Sequence, residues 1–192
     1  MKTVKFFTLA LIGLMIGLTS FGQVKFGAAN AAVSIKGTST LHDWEMKSQA
    51  GKCDATLVMT GDKLTSISNL SFVLAAETLK SGTGGLDKNG YKALDTKAHP
   101  SISFVMTSGS ITAVDATTYS FKGVGNLTIS GTTKATDLVG TLKYNAADKS
   151  FTIVGTKVIK MTDWKVKPPV VMFGAIKTGD EITIGYNLKI KS

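Results

Sequence analysis

The segment 40–44 (TLHDW) places a histidine, His42, directly before a carboxylate, Asp43. Such a pair can act in general acid–base catalysis or contribute to a metal site. Neighbouring residues of a strand point to opposite faces, so His42 and Asp43 can cooperate only if they lie on a loop. The chain has one other histidine, His99, and no cysteine near either, which is too few ligands for a zinc site of the usual kind. No metal ion is therefore expected.

Other signatures of enzyme chemistry are missing from the sequence. No Gly-x-Ser-x-Gly elbow occurs, and the serines lie mostly on outward faces of predicted strands. The glycine-rich segment 81–85 (SGTGG) lacks the lysine of a phosphate-binding loop and suits a hinge or a pocket rim better. We expect a protein that is not an enzyme and needs no cofactor. The alternative is a lipid-directed hydrolase that uses His42 with Asp43, or His99.

Short runs in which apolar and polar residues alternate fill most of the chain after Ala31, and this period of two is typical of β-strands. In the last run, Ile182 and Tyr186 share one face while Thr183 and Asn187 share the other. Turn sequences, one of them at 178–180, separate the runs. The predicted strands are 33–37, 44–50, 55–60, 70–75, 102–107, 119–129, 133–144, 151–161 and 181–190.

The one long interruption of this pattern runs from 79 to 104. It holds the glycine-rich loop, a short helix predicted over 86–95, and His99-Pro100, which forces an extended backbone into the next strand. One apolar face per strand, short turns and little helix predict an all-β fold. We expect an antiparallel barrel of about eight strands with one short helical insertion, with two packed layers as the alternative. A chain of 192 residues without linker or repeat predicts one folded domain, residues 23–192.

The inward faces of these strands carry large apolar side chains, and glycines interrupt the same faces at Gly123, Gly125, Gly140 and Gly155. A glycine on an inward face leaves volume unfilled or lets the barrel bend. A barrel of about eight strands can be filled by side chains or can keep one small cavity, and composition alone leaves both open. The predicted interior residues, which would contact a ligand in the second case, are Phe72, Leu74, Phe104, Met106, Tyr119, Phe121, Leu127, Tyr144, Phe151 and Tyr186.

Residues outside the strands are candidates for the mouth of such a cavity. Trp164, on a predicted loop, is a large amphipathic ring suited to an apolar rim. Tyr91 and Leu94 on the predicted helix can close one end of the barrel, or can pack on the sheet without contacting a ligand. For each candidate lysine, a solvated surface charge is the competing explanation. The candidates for contact with a ligand head group are Lys80, Lys88, Lys165 and His42.

The chain carries 22 basic residues, all of them lysine, against 13 acids, for a formal net charge of +9. The lysines are scattered and lack the arginine forks that phosphates and bases favour, so no nucleic-acid partner is expected. A weaker interaction that this charge also allows is attraction to anionic lipid head groups. We therefore expect an apolar small molecule as the main partner and at most transient contact with a membrane surface.

The first 22 residues have the features of a cleavable signal peptide. Lys2 and Lys5 precede an apolar run over 6–18, which is shorter than the roughly 20 residues of a membrane-spanning helix. Small residues at 20 and 22 then predict cleavage after Gly22 and a periplasmic or secreted protein. The single cysteine, Cys53, is expected to be a buried, inert thiol, and an exposed Cys53 would instead permit a covalent homodimer.

Three segments resemble the YceI-like family in their order and spacing: 97–104 (KAHPSISF), 125–134 (GNLTISGTTK), and 161–164 (MTDW) followed by Pro168-Pro169. The resemblance covers about residues 30–191. It implies a secreted, lipocalin-like barrel that binds polyisoprenoids and other amphiphiles, with a long apolar chain inside and the head group near the mouth. Many members of the family carry arginines near the central helix and the late loop. This chain has no arginine, so lysine must make the contact with the head group, or the contact is absent.

The resemblance favours a cavity over a filled barrel. The expected function is that of a binding protein that holds an isoprenoid, a quinone-like molecule or a fatty lipid for storage or transport. The alternative is an envelope stress or interaction protein whose barrel is filled and whose lysine-rich surface makes the contacts.

Overall fold

Antiparallel strands make up most of the structure, a computed structural model that describes residues 22–61 and 63–191. Within these residues lie one α-helix, α1 (Gly84–Leu94), two 3-10 helices at Ala76–Thr78 and Met161–Trp164, and a tight turn with left-handed φ angles at Met172–Gly174. The predicted signal peptide lies outside the described residues except for Gly22. The strands are β1 (Gly22–Ser39), β2 (Trp44–Ser48), β3 (Lys52–Thr60), β4 (Lys63–Ala75), β5 (Ser101–Ala113), β6 (Thr118–Ile129), β7 (Thr132–Asn145), β8 (Ser150–Lys160), β9 (Val170–Val171) and β10 (Ile176–Lys191).

Eight of these strands form a closed antiparallel ring in the order β1-β3-β4-β5-β6-β7-β8-β10. The ring closes where β10 pairs with β1, along a ladder from Gly27–Lys191 to Ser39–Thr178. Strand β2 pairs with the same edge of β1 as β3 does, and β9 adds a short ladder to β10. The prediction of an all-β antiparallel barrel of about eight strands with one short helical insertion is confirmed.

Alternating side chains place one face of each strand inside this ring. In β10, for example, Ile182, Tyr186 and Ile190 are buried, while Glu181 and Asn187 are exposed. A ring of strands has a single interior, so the apolar faces of all eight strands meet there and need no second sheet. The period of two in the sequence therefore explains the apolar interior, and the pairing of β10 with β1 closes the ring around it.

The turn predicted at 178–180 is wrong, because β10 runs through these residues. Thr178 pairs with Ser39 across a β-bulge that lets the β1–β10 ladder continue. The Asp180 carboxylate accepts hydrogen bonds from the backbone N–H (2.9 Å) and from Oγ1 (2.6 Å) of Thr162. A Thr-Gly-Asp sequence suits a turn, but cross-strand pairing outweighs this local preference here.

The two ends of the barrel carry different connections. We call the end that carries the loop 40–43, helix α1 and the segment 161–175 the mouth. The opposite end, where tight turns follow β3, β5 and β7, is the closed end. Each strand thus has a half next to the mouth and a half next to the closed end.

Side chains fill the half of the barrel next to the closed end. Phe26 meets Phe151 edge to face with ring centroids 5.4 Å apart, and Tyr144 lies 4.8 Å from Phe151. The Tyr119 hydroxyl accepts a hydrogen bond from the Leu64 N–H at 3.0 Å, so its polar atom is satisfied inside the core. Each large apolar side chain buried here contributes about 1.5–3 kcal/mol. This half is a packed core.

The barrel wall has a seam between β7 and β8. Toward the mouth, their ladder ends at the Gly140–Gly155 pair. Beyond this pair, residues 132–139 and 156–160 form no ladder with each other in the part of the chain that the structure describes. Two ion pairs bridge this gap. Lys157 pairs with Asp137 across the seam itself, and Lys134 pairs with Asp163 at 3.6 Å where the seam extends into the mouth.

Cys53 is only 1% exposed on β3. Burial raises the pKa of its thiol to about 12, so the thiol is protonated at neutral pH and does not react as a thiolate. A disulfide between two folded chains would need Cys53 at the surface, so the burial argues against a covalent homodimer. No helix among the described residues is both long and apolar enough to cross a membrane.

Asp148 ties the turn between β7 and β8 to β10 at the closed end. Its carboxylate pairs with Lys189 Nζ at 2.7 Å and accepts a hydrogen bond from Ser150 Oγ at 2.6 Å. These contacts, led by the hydrogen bond from Lys189, lower the pKa of Asp148 from 3.8 to about 2. The carboxylate therefore stabilises the folded chain while it is ionised.

Asp148→Asn should lower stability at neutral pH but have progressively less effect in acid. Because the folded-state pKa lies below the ordinary value, the contribution of the carboxylate is present above about pH 4 and is lost as the pH falls to about 2. The measurement is the urea midpoint of wild type and variant across this range, with Asp43→Asn on the mouth loop as the control. A difference between wild type and D148N that stays constant with pH would contradict the assignment.

A candidate apolar ligand-binding cavity

A cavity of about 320 Å³ occupies the half of the barrel next to the mouth. Helix α1 and the segment 161–176 cover its open end. The barrel is therefore filled in one half and open in the other. The strand residues that form most of its wall are Val33, Ile35, Trp44, Met46, Leu70, Phe72, Leu74, Ile102, Phe104, Leu127, Ile129, Leu138, Ile159, Ile182, Ile184, Tyr186 and Leu188.

The wall of the cavity is apolar, and none of the described residues that line it is charged. Its two tryptophans and its tyrosine each direct the polar atom of the side chain to a main-chain carbonyl. Burial raises the pKa of Tyr186 to about 12, which keeps its hydroxyl a donor. The three bonds are Trp44 Nε1 to Thr38 O (3.0 Å), Trp164 Nε1 to Leu127 O (3.0 Å) and Tyr186 Oη to Val139 O (2.7 Å). The rings thus present their apolar faces to the cavity.

Two of the inward glycines, Gly123 and Gly155, are covered by rings. A Cβ at Gly155 would overlap the ring of Tyr186, and a Cβ at Gly123 would lie 2.7 Å from Phe121 Cζ. The room that a missing side chain leaves is therefore filled from a neighbouring position. Glycine allows the Tyr186 ring to lie against the wall, where it reaches the carbonyl of Val139.

The start of α1 is held by a carboxylate. Asp87 accepts hydrogen bonds from both the N–H and the Oγ of Ser81, each at 2.7 Å, and these bonds lower the pKa of Asp87. They fold the glycine-rich segment 81–85 against the helix and set the orientation of its first turn. Leu86 and Gly90 then line the cavity.

The end of α1 is fixed to the barrel by polar contacts outside the cavity. The Tyr91 hydroxyl donates to the carbonyl of Leu79 (2.7 Å) and lies 2.6 Å from Lys80 Nζ, a bond that raises the pKa of Lys80. Ser130 Oγ donates to the carbonyl of Leu94 at 2.8 Å. Tyr91 and Lys80 therefore attach the helix to the sheet, and neither lines the cavity.

The rim of the mouth is mostly neutral. Of the head-group candidates, His42 lines the cavity, whereas Lys80, Lys88 and Lys165 do not. Lys88 and Lys165 are exposed on the outside of the mouth. The other polar residues on the rim are Ser39, Thr83, Asn89 and Thr178.

His42 and Asp43 do not form a side-chain pair. The Nδ1 atom of His42 lies 2.7 Å from the backbone oxygen of Asp43, and both residues are exposed on the loop between β1 and β2. His99 packs its ring against Gly131 instead. No group of three or more metal-ligating side chains occurs within residues 22–61 and 63–191.

The predicted interior residues divide between the two halves of the barrel. The half next to the mouth holds those on the cavity wall: Phe72, Leu74, Leu94, Phe104, Leu127, Trp164 and Tyr186. The packed half, together with its border, holds those away from the wall: Met106, Tyr119, Phe121, Tyr144 and Phe151. Trp164 lies on the 3-10 helix Met161–Trp164 and is 4% exposed, so it is a wall residue rather than part of an open loop.

Sequence reasoning missed several wall residues. Trp44 and Met46 line the cavity from β2, and Leu41 and Ile176 line it at the mouth. Trp44 had a usable signal, since it begins a predicted strand directly after the His42-Asp43 loop. Leu41 and Ile176 had none, because nothing in their local sequence places them beside a barrel opening.

Comparison with known proteins places this fold among related barrels. A YceI-like domain model matches residues 23–190. BcnA of Burkholderia cenocepacia aligns with TM-score 0.63 at 19% identity, covering 83% of this chain and 95% of that one. A polyisoprenoid binding domain from Saccharophagus degradans gives 0.60 at 8% identity, covering 87% and 98%. The YCEI protein of Campylobacter jejuni gives 0.51 at 14% identity, covering 97% of each chain. No curated protein matches the chain.

Gly37→Ala should displace Trp44 from the cavity wall. The added Cβ would lie 2.7 Å from Trp44 Cε2, whereas at Gly27 in the same strand the nearest atom is Asp54 Oδ1 at 3.6 Å. We expect G37A to shift tryptophan emission to longer wavelength and to lower stability by about 1–3 kcal/mol. G27A is the matched control and should leave the emission unchanged. Identical emission spectra for wild type and G37A would contradict the placement of Trp44.

Proposed function

The chain belongs to the YceI-like family, and from that premise we propose that its cavity binds an amphiphile with an apolar chain and an uncharged head group. The candidates are an isoprenoid, a quinone-like molecule or a neutral fatty lipid. The relative from Saccharophagus degradans is described as a polyisoprenoid binding domain, which supports this ligand class. The proposed role is storage or transport without chemical conversion of the ligand.

One observation carries the proposal: away from its rim, the wall of the cavity offers a ligand almost entirely apolar surface. The polar atoms of Trp44, Trp164 and Tyr186 are already bonded to main-chain carbonyls. Each methylene group moved from water into such a site contributes about 0.8 kcal/mol. A tail of several carbons therefore binds by desolvation, with little selectivity for its chemical detail.

The size of the cavity limits how much of the ligand it holds. A volume of about 320 Å³ is at the lower end of the range for small-molecule pockets, which is roughly 300–1,000 Å³. Tyr119, Phe121 and Phe151 fill the space beyond it. A short amphiphile would fit whole, whereas a long chain would place one end inside and leave the remainder at the mouth.

The absence of charge on the described wall favours a neutral head group. An ionised group inside an apolar cavity loses its hydration and finds no partner there, which costs several kcal/mol. At the rim, His42 and Asn89 can form hydrogen bonds with a carbonyl, hydroxyl or ether oxygen. Selectivity would arise there and not along the tail.

We also propose that the protein acts outside the cytoplasm. Lys2 and Lys5 followed by the apolar run 6–18 support export, with cleavage after Gly22. A carrier in the periplasm or outside the cell would shield an apolar chain from water between membranes or enzymes.

Ala93→Phe should weaken binding by filling the cavity. Ala93 lines the cavity from α1, whereas its neighbour Lys92 is exposed on the outer face of the helix, so Lys92→Phe is the matched control. Binding is measured by titrating the apolar dye N-phenyl-1-naphthylamine into the protein in buffer. We expect A93F to bind at least about tenfold more weakly than wild type, a difference of about 1.4 kcal/mol. Equal affinities for A93F and K92F would rule out this cavity as the site.

A neutral competitor should displace the dye better than its charged counterpart. Dodecanol and dodecanoate have tails of equal length, and at neutral pH only the second carries a charge. We expect dodecanol to compete roughly tenfold or more strongly, because the carboxylate would be desolvated without a partner. Stronger competition by dodecanoate would refute the neutral head group and would point to lysines near the rim.

A further inference from the structure

Four large apolar side chains protrude from the mouth into solvent. We call them the tip: Leu41, Val170, Met172 and Phe173. Their exposed fractions are 65%, 54%, 69% and 112%, so Phe173 has no neighbour that covers its ring. Single exposed apolar residues are common, but four on two adjoining loops form a patch that usually marks an interaction site.

The backbone of the tip is held in a conformation that projects these side chains outward. Met172 and Phe173 both have φ of 54°, and Gly174 has φ of 98°. Consecutive bulky residues rarely adopt the left-handed region, because it costs free energy that neighbouring contacts must offset. Pro169 and Val171 of the same segment line the cavity. The segment therefore has one face inside the mouth and the other in solvent.

The two loops of the tip are tied together. The Thr40 N–H donates to the carbonyl of Lys177 (3.0 Å), and Thr40 Oγ1 donates to the carbonyl of Ala175 (3.2 Å). The Lys177 N–H in turn donates to Thr40 Oγ1 at 3.1 Å. Leu41 and Phe173 consequently belong to one surface at the mouth and not to two independent loops.

Positive charge surrounds the tip. The segment 165–177 contains Lys165, Lys167 and Lys177 and no acid. Asp43 lies on the other loop, so the two tip loops, 40–43 and 165–177, hold three lysines and one acid. Asp163, just before the second loop, pairs with Lys134 and adds no net charge. All three lysines are exposed. Such side chains can reach anionic groups while their stems lie along an apolar surface.

We infer that the tip is a membrane-docking surface, which inserts Phe173 and Met172 among the lipids of a bilayer that contains anionic head groups. Protruding apolar side chains with flexible cations around them fit a fluid, anionic interface, where burial of apolar surface and charge attraction add. Docking would bring the mouth of the cavity against the membrane. Leu41 of the tip also lines the cavity, but Phe173 and Met172, which carry the inference, do not, so the inference goes beyond the proposed function.

The test is flotation of residues 23–192 with phosphatidylcholine vesicles, with and without phosphatidylglycerol. Wild type should bind the anionic vesicles, and the double variant Met172→Ser/Phe173→Ser should bind them roughly tenfold or more weakly. Val114→Ser is the matched control, since Val114 is 67% exposed at the closed end. The double variant Lys167→Gln/Lys177→Gln should bind phosphatidylcholine vesicles as wild type does. It should lose only the additional binding that phosphatidylglycerol gives to wild type. For wild type, this additional binding should decrease as the salt concentration is raised through 0.1 M.

Two results would overturn the inference: wild type that does not float with anionic vesicles, or full binding by the M172S/F173S variant. An equal loss with V114S would also overturn it, because the effect would then not belong to the mouth. Dye binding in vesicle-free buffer separates this inference from the proposed function. Tip-dependent flotation by a protein that binds no dye would refute the cavity and support the docking surface.

Discussion

The pairing of β10 with β1 is the interaction on which the rest of the structure depends. It turns a sheet with two edges into a ring, and the apolar face of every strand then has only one place to be buried. Eight strands enclose a space that side chains can just fill. Whether any volume remains is therefore decided by the sizes of the inward residues at each level of the barrel. Phe26, Tyr119 and Phe151 fill the closed half, while residues such as Val33, Ile129 and Ile182 leave room near the mouth.

The cavity also depends on where the large rings near the mouth are held. Trp164 and Tyr186 have enough volume to fill much of it, but each donates a hydrogen bond to a carbonyl of another strand. Breaking either bond would leave a buried polar atom without a partner, which is costly in an apolar interior. These two bonds keep the rings on the wall. The packed half next to the closed end therefore stabilises the fold. The half next to the mouth, where the rings are held on the wall, provides the binding site.

Most of the fold could be predicted from the sequence, because alternation, turn residues and the lack of helix patterns depend on local chemistry. The turn at 178–180 could not be excluded, since only its pairing with β1 decides against it. The site was harder to predict. Phe104 and Phe121 both alternate inward, yet only Phe104 lies on the cavity wall, because strand register sets the height of each residue in the barrel. Lys80 was a reasonable head-group candidate until the structure placed its amine on the hydroxyl of Tyr91.

The seam between β7 and β8 has a counterpart at the closed end, where residues 63–70 of β4 and 106–113 of β5, all within the described chain, form no ladder with each other. Neither half of the barrel is therefore closed by a continuous row of backbone hydrogen bonds. Across the seam, two kinds of side-chain contact join β7 to its neighbours. Partly exposed ion pairs, such as Lys134 with Asp163, are each worth roughly 0–1 kcal/mol and are weakened by salt, whereas the bond from Tyr186 Oη to Val139 O is made by a buried side chain. At the cavity, the two sides of the seam are thus held together by side chains and not by backbone pairing.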